Sequence, residues 1–428
     1  FMKGLQGDDL SDAETVLATP KHFIGDGATV FGTATPSGFL LDQGDTQIDE
    51  ATLRRTHLIP YRAAIAAGAK SIMASYNSWQ GTKVHGHHYL LTTVLKEELG
   101  FSGFIVSDWD AIQQVAPDDY YASVVTAVNA GIDMNMMSQH YQQFIEALTQ
   151  AVKAGDVSME RIDDAVRRIL TVKLELGLFE SPFANRALLE QVGSPNHRAI
   201  AREAVRQSLV LLKNKDDVLP LPKSIQRLYV AGDGADDIGL QSGGWTIEWF
   251  GARGAIAPGT TILEGIRQTV APNTRVDYAA DGNFGEDAEP AEVGIAVVSE
   301  EPYAEGKGDR HELFLSDADQ AMLNRLRASC EKLVVILLSG RPLIITDSLG
   351  EWDALVMAWL PGTEGAGVAD VLFGDRPFTG RLPLNWPRSM DQIPTPHQTD
   401  ATSEQPSPLF PRGFGLVSSP DLADELAN

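Results

Sequence analysis

Short β-rich runs alternate with helical stretches between Val16 and Leu176, and this rhythm narrows the available folds more than any other feature of the chain. Val16 to Phe23, Lys70 to Ser75, Gly103 to Ser107 and Ile132 to Met136 read as strands. Glu50 to Ala67, His88 to Leu99, Ala122 to Ala130, Tyr141 to Ala154 and Met159 to Leu176 carry apolar residues at helical spacing. Strands that return through helices pair in parallel, so the expectation is an α/β architecture of βα units. A complete (β/α)8 barrel needs eight strands in about 250 residues. Only four can be placed, so residues 1–178 are expected to form part of such a barrel.

Residues 179–200, with Pro182 and Pro195 and little periodicity, read as a linker. Beyond it come Val210 to Asn214, Leu228 to Gly232, Val293 to Val298 and Leu333 to Leu338, separated by helical segments at Ile262 to Gln268 and Leu315 to Ser329. Residues 201–428 are therefore expected to form a second domain, an open α/β sandwich with a doubly wound sheet. Thr395 to Ser407 reads as a surface excursion before Leu409 to Gly415.

Composition excludes several functions. Lys plus Arg number 34 against 58 Asp plus Glu, and a net charge of -24 repels nucleic acid and anionic membranes. Neither is expected as a partner. Cys330 stands alone, so no intrachain disulfide and no multi-cysteine metal site can form. The run His85-Gly86-His87-His88 lacks carboxylates and reads as a solvent-facing loop rather than a metal site. Gly232-Asp233-Gly234 lacks the full dinucleotide-binding pattern, and Asp236 and Asp237 would repel a pyrophosphate. No metal and no cofactor is expected. Phe1 to Gly7 shows no signal-peptide pattern.

In a barrel, the C-terminal ends of the strands face a common mouth where active sites sit. Lys21-His22, Tyr76-Asn77 and Asp108-Trp109 close three of the expected strands. Amino, imidazole and phenol groups can bond sugar hydroxyls, an indole face suits the apolar face of a sugar ring, and a carboxylate can attack an anomeric carbon. A glycosidase needs a second carboxyl, about 5 to 5.5 Å away if configuration is retained. The only carboxyl close in sequence is Asp110.

Thr19-Pro20-Lys21-His22-Phe23-Ile24-Gly25-Asp26-Gly27, Met73-Ala74-Ser75-Tyr76 and Gly103-Phe104-Ile105-Val106-Ser107-Asp108-Trp109 resemble the ordered barrel motifs of family 3 glycoside hydrolases, in the β-glucosidase and exo-glucanase branch. Segments Gly243 to Trp249, Glu301 to Asp309, Trp359 to Gly365 and Thr379 to Pro383 are similar to that family's second domain. The resemblance implies a retaining, exo-acting enzyme that removes glucose from β-glucan oligosaccharides or β-glucosides. Asp108 would be the nucleophile and Glu305, on a second-domain loop, the general acid/base. Lys21, His22, Tyr76 and Met136 would line the terminal-sugar subsite, while Trp109 and Trp249 would sandwich the next sugar. Trp245 reads as a packing residue. Gln114 stands where some plant-type members carry an arginine.

The family's barrel also carries strands ahead of the Lys-His motif. The resemblance therefore makes residues 1–178 the C-terminal half of the barrel, with a further segment or partner chain expected to supply the rest. The half-barrel alone is expected to show little activity. A periplasmic or secreted location follows from the resemblance. Two other readings are a β-N-acetylglucosaminidase, against which Gly25 to Val30 offers no catalytic histidine, and a carbohydrate-binding fragment without activity.

Overall fold

A computed structural model describes residues 1–34, 38–285, 287–393 and 407–417. The chain divides into two compact units, Phe1–Leu188 and Leu189–Asn428.

In the first unit the strands are β1 Asp45–Thr46, β2 Ser71–Met73, β3 Ser78–Trp79, β4 Thr82–Lys83 and β5 Phe104–Val106. β2 and β5 pair in parallel, and single parallel bridges extend the ladder from Phe23 to Ala74 and from Val106 to Met134. Four segments thus run side by side in the order Phe23, β2, β5, Met134, without closing among the described residues. The expected strands Val16 to Phe23 and Ile132 to Met136 shrink to those bridges. Pro20 explains part of this, because it has no N–H to give and only its carbonyl joins, accepting from Met73 N–H at 3.1 Å. β1, β3 and β4 form a small separate sheet that the sequence pattern does not announce.

The helices flank the ladder. Glu50 to Ala67, expected as one helix, breaks into Glu50–Thr52, a π-helical turn Leu53–His57 and Ile59–Ala66. Asp49 caps its start by accepting from Thr52 N–H, and Pro60 sits in the first turn of the last piece, where a missing N–H costs nothing. Tyr89–Glu98 is wound as a π-helix, while Tyr120–Ala130, Tyr141–Ala154 and Met159–Glu175 are α-helices. Their apolar faces meet Phe23, Ile72, Ala74 and Ile105 in one core.

The second unit is built on β6 Val210–Asn214, β7 Arg227–Ala231, β8 Arg275–Ala279, β9 Ala291–Ser299, β10 Cys330–Leu338 and β11 Ala354–Trp359. These form one sheet in the order β6-β11-β10-β9-β7-β8, parallel except where β6 meets β11. One face packs on helices Ile262–Thr269 and Gly365–Leu372, the other on Asp317–Ala328. Parallel strands covered on both sides are apolar throughout, which is why Val293 to Val298 and Leu333 to Leu338 are legible as strands. β8 and β11 lie outside the expected set. β8 is polar and half-exposed, as befits an edge. The stretch expected as a linker holds a 3-10 segment, Arg186–Gln191, and the start of helix Pro195–Ser208, which Ser194 caps by accepting from His197 N–H. Of the expected excursion Thr395 to Ser407, all but Ser407 lies outside the described residues.

Candidate active site

β5 ends at Val106, and the chain turns sharply through Ser107, Asp108 and Trp109 into a 3-10 segment, Ala111–Gln114. The turn is made by Asp110, which has φ 53°. This left-handed conformation is one that aspartate tolerates better than most residues. Asp110 also ties this loop to the next: one carboxylate oxygen accepts from Ser138 N–H at 3.0 Å and the other bonds the Ser138 hydroxyl. Ser107 Oγ accepts from Met136 N–H at 2.7 Å, closing the same seam from the inside. Asp110 is thereby a loop brace, which removes it as a second carboxyl for chemistry.

Asp108 is held at both backbone and side chain. Its N–H donates to His85 Nε2 at 2.9 Å, and its Oδ1 accepts from Trp109 N–H at 2.7 Å. Its Oδ2 stands 3.6 Å from His22 Nε2. His22 in turn meets Asp26 Oδ2 through Nδ1 at 2.9 Å, so the imidazole bridges two carboxylates. Tyr76 hydroxyl donates to Trp109 carbonyl at 2.9 Å, and its ring lies edge-on to His85 at 6.0 Å. Lys83 fixes the Tyr76 turn by donating to Tyr76 carbonyl at 3.1 Å. Of the expected residues, His22, Tyr76, Asp108, Trp109 and Met136 thus gather at one end of the ladder, with Lys21 exposed beside His22. Asn77 does not join them: it is buried and spends its amide on Thr46 Oγ1 at 2.8 Å and Ser78 carbonyl at 2.9 Å.

His85 is a correction. The histidine run is expected to face solvent, yet His85 is buried and, of the three rings, His88 alone is exposed. Burial above all, helped by the Lys83 charge, pushes the His85 pKa down to about 3, so the ring is neutral. A neutral imidazole has one donor and one acceptor nitrogen. Nε2 accepts from Asp108 N–H, while a hydrogen bond with the Ser75 backbone uses the other nitrogen. No spacing rule could reveal this, because the contact depends on the segment from Tyr76 to His87, which includes β3 and β4, bringing His85 to the residue just beyond β5. His85→Leu, which keeps the bulk and removes the acceptor, should lower kcat about 10- to 100-fold by releasing Asp108 from its position. Steady-state kinetics would show this, and an unchanged kcat would remove His85 from the site.

The second unit holds the other expected residues. Glu305 lies on the loop after β9, at the start of a 3-10 turn, Glu305–Gly308, with φ 51° and an exposed side chain. Two of its acidic neighbours are committed to ion pairs. Glu301 is bound by Arg253 at 2.9 Å, and that contact holds its carboxyl below the ordinary range. Glu300 is buried, which alone would raise its pKa, but Arg341, Ser339 and Arg310 outweigh burial and hold it low. Neither can readily take up and release a proton near neutrality. Trp249 is 46% exposed and stacks on Phe250 with ring centroids 4.2 Å apart. Trp245, expected as a packing residue, is 64% exposed, and Trp109 in the first unit is 62% exposed.

A carboxylate, an imidazole, a phenol and an exposed indole at the C-terminal ends of parallel strands define the kind of site that α/β enzymes build on such ladders. Comparison with known proteins gives this class a family. Residues 1–172 match the glycosyl hydrolase family 3 N terminal domain, and residues 209–417 match the family's C-terminal domain. An exo-1,3/1,4-beta-glucanase from a Pseudoalteromonas species, solved as its Q683A mutant, superposes with a TM-score of 0.89 at 40% identity, over 98% of this chain and 68% of that one. The beta-glucosidase from Listeria innocua, solved in complex with glucose, superposes with a TM-score of 0.84 at 26% identity, over 97% of this chain and 60% of that one. The periplasmic beta-glucosidase of Salmonella typhimurium is 30% identical over 97% of this chain and 60% of its own length. The lysosomal beta glucosidase of Dictyostelium discoideum is 32% identical over 97% of this chain and 54% of its own length. The chain belongs to glycosyl hydrolase family 3. It spans 54 to 60% of these two curated relatives.

Proposed function

We propose that this chain carries the catalytic machinery of a retaining, exo-acting β-glucosidase or β-glucan glucohydrolase, with Asp108 as nucleophile and Glu305 as general acid/base. The observation that carries this reading is the convergence of Asp108, His22, Tyr76 and Met136 at the strand ends of the unit that matches the family's N terminal domain. Asp108 attacks the anomeric carbon while Glu305 gives its proton to the departing glycosidic oxygen. Glu305 then takes a proton from water, whose oxygen attacks the same carbon and releases Asp108. Lys21 and His22 supply donors and Tyr76 an acceptor oxygen for hydroxyls of the terminal sugar, and Trp109 and Trp249 offer faces for the sugar beyond it. The relatives support the substrate class, since they include beta-glucosidases and an exo-1,3/1,4-beta-glucanase.

The same reading extends to architecture and location. The ladder Phe23, β2, β5, Met134 fits half of a (β/α)8 barrel over residues 1–178, joined through 179–200 to an α/β sandwich over 201–428. Val166, Leu170 and Leu174 on helix Met159–Glu175 are exposed apolar residues, suited to packing by further βα units from a segment or partner chain. No helix among the described residues is long and apolar enough to cross a membrane, and the periplasmic relative favours a periplasmic or secreted protein.

The test is covalent. An activated 2-deoxy-2-fluoro-β-glucoside should add one fluoroglucosyl group to the protein, and peptide mass spectrometry should place it on Asp108. A label on any other carboxylate, or none at all when the further βα units are present, overturns the assignment of the nucleophile.

A further inference from the structure

Between β9 and helix Asp317–Ala328 the chain carries an exposed glutamate on a backbone that needs support from its surroundings. Glu305 has φ 51°, a left-handed conformation that costs a non-glycine residue free energy and persists only where its surroundings impose it. Within the turn Lys307 N–H donates to Ala304 carbonyl and Asp309 N–H to Gly306 carbonyl, each at 3.3 Å. Bonds of that length restrain the turn only weakly.

Arg341, on the loop after β10, supplies firmer restraint. Nη1 donates to Gly308 carbonyl at 2.6 Å, which grips the last residue of the turn. The guanidinium carbon lies 4.6 Å from the centroid of the Tyr303 ring, which precedes the turn. Tyr303 also lies close against Gly308, since a Cβ there would come within 2.3 Å of its ring. Nη2 donates to Glu300 Oε1 at 2.7 Å, and Nε lies 3.2 Å from both carboxylate oxygens. Glu300 keeps the arginine in place: its side chain is only 8% exposed and also accepts from Ser339 Oγ at 2.6 Å and Arg310 Nη1 at 2.8 Å. Arg341 therefore holds the chain on both sides of Glu305, through Glu300 and Tyr303 before it and Gly308 after it.

We propose that Arg341 is a positioning residue for the general acid/base, holding the Glu305 turn through Gly308, Tyr303 and Glu300. This rests on the assignment of Glu305 made above. A guanidinium suits the task because it can satisfy a carboxylate, a carbonyl and an aromatic face together, which an ammonium cannot. Loosening the turn weakens proton transfer to the leaving group and leaves nucleophilic attack by Asp108 intact.

The experiment compares Arg341→Ala with Glu305→Ala on a disaccharide and on a dinitrophenyl glucoside, whose leaving group departs without a proton. Arg341→Ala should form the glycosyl-enzyme from the activated substrate at a rate within about twofold of the parent protein, because that step needs no acid, and Glu305→Ala should lose far less there than on the disaccharide. On the disaccharide Arg341→Ala should lose about 10- to 100-fold in kcat/KM. Glu305→Ala should lose more, about 100- to 10,000-fold. Arg341→Lys, which keeps the charge but not the fork, should fall between parent and Arg341→Ala, and it replaces Arg341→Ala if that variant does not fold. Hydrogen exchange should show faster exchange of amides 304–309 in the Arg341 variant. Equal losses on both substrates, or unchanged exchange of those amides, overturn the proposal for Arg341. If Glu305→Ala itself loses no more on the disaccharide than on the activated glucoside, the assignment of Glu305 fails instead.

Discussion

Asp108→Asn should lower kcat by about four to six orders of magnitude, the range seen when a catalytic nucleophile is removed. The asparagine keeps the shape of the side chain, and its amide oxygen can still accept from Trp109 N–H as Asp108 Oδ1 does at 2.7 Å. The backbone bond to His85 is untouched. What disappears is the charge that, in the mechanism proposed, forms the bond to the anomeric carbon. The melting temperature should therefore stay within a few degrees, roughly the shift that 1 kcal/mol produces. Turnover of a nitrophenyl glucoside is the readout. With Asp108→Gly, azide should restore turnover of an activated substrate and yield the α-glucosyl azide, because the external nucleophile attacks the face that Asp108 vacates. Activity within about 100-fold of the parent in both variants would mean that the covalent step belongs to another residue.

The legible and illegible parts of this protein separate on physical grounds. β9 and β10 could be read because parallel strands buried on both faces are apolar at nearly every position. β8 could not, since Arg275 and Asp277 on an edge strand look like loop residues. The placement of Asp108, His22 and Tyr76 at one end of the ladder could be read because strand ends are positions that topology predicts. His85 could not, because its partner lies across a loop whose course no periodicity encodes. The role proposed for Glu305 comes from its motif alone. Its chemical case rests instead on neighbours such as Arg253 and Arg341, which commit Glu301 and Glu300 to ion pairs.

Asp133→Asn should destabilise the first unit by about 3 to 5 kcal/mol, the usual loss when one partner is removed from a buried ion pair. Asp133 grips the strand that presents Asp108. Its side chain is 0% exposed, its Oδ2 accepts from Ile105 N–H at 2.8 Å, and its own N–H donates to Ile105 carbonyl at 2.9 Å. Oδ1 takes Lys96 Nζ at 2.8 Å and also binds Arg161. Lys96 is 6% exposed, and burial pushes its pKa down to about 8 against the upward pull of Asp133. An asparagine can still accept from Ile105, but its amide hydrogens then face an ammonium and a guanidinium, donors against donors. Urea unfolding of the two proteins measures the difference, and a loss under about 1 kcal/mol would refute the account. At temperatures where the Asp133→Asn protein remains folded, its kcat should match the parent, since Asp133 holds β5 at Ile105 while the site is built beyond its end at Val106. The ladder around β5 thus sets two carboxylates in opposite surroundings, Asp108 partly accessible beyond the strand's end and Asp133 buried to hold the strand in place.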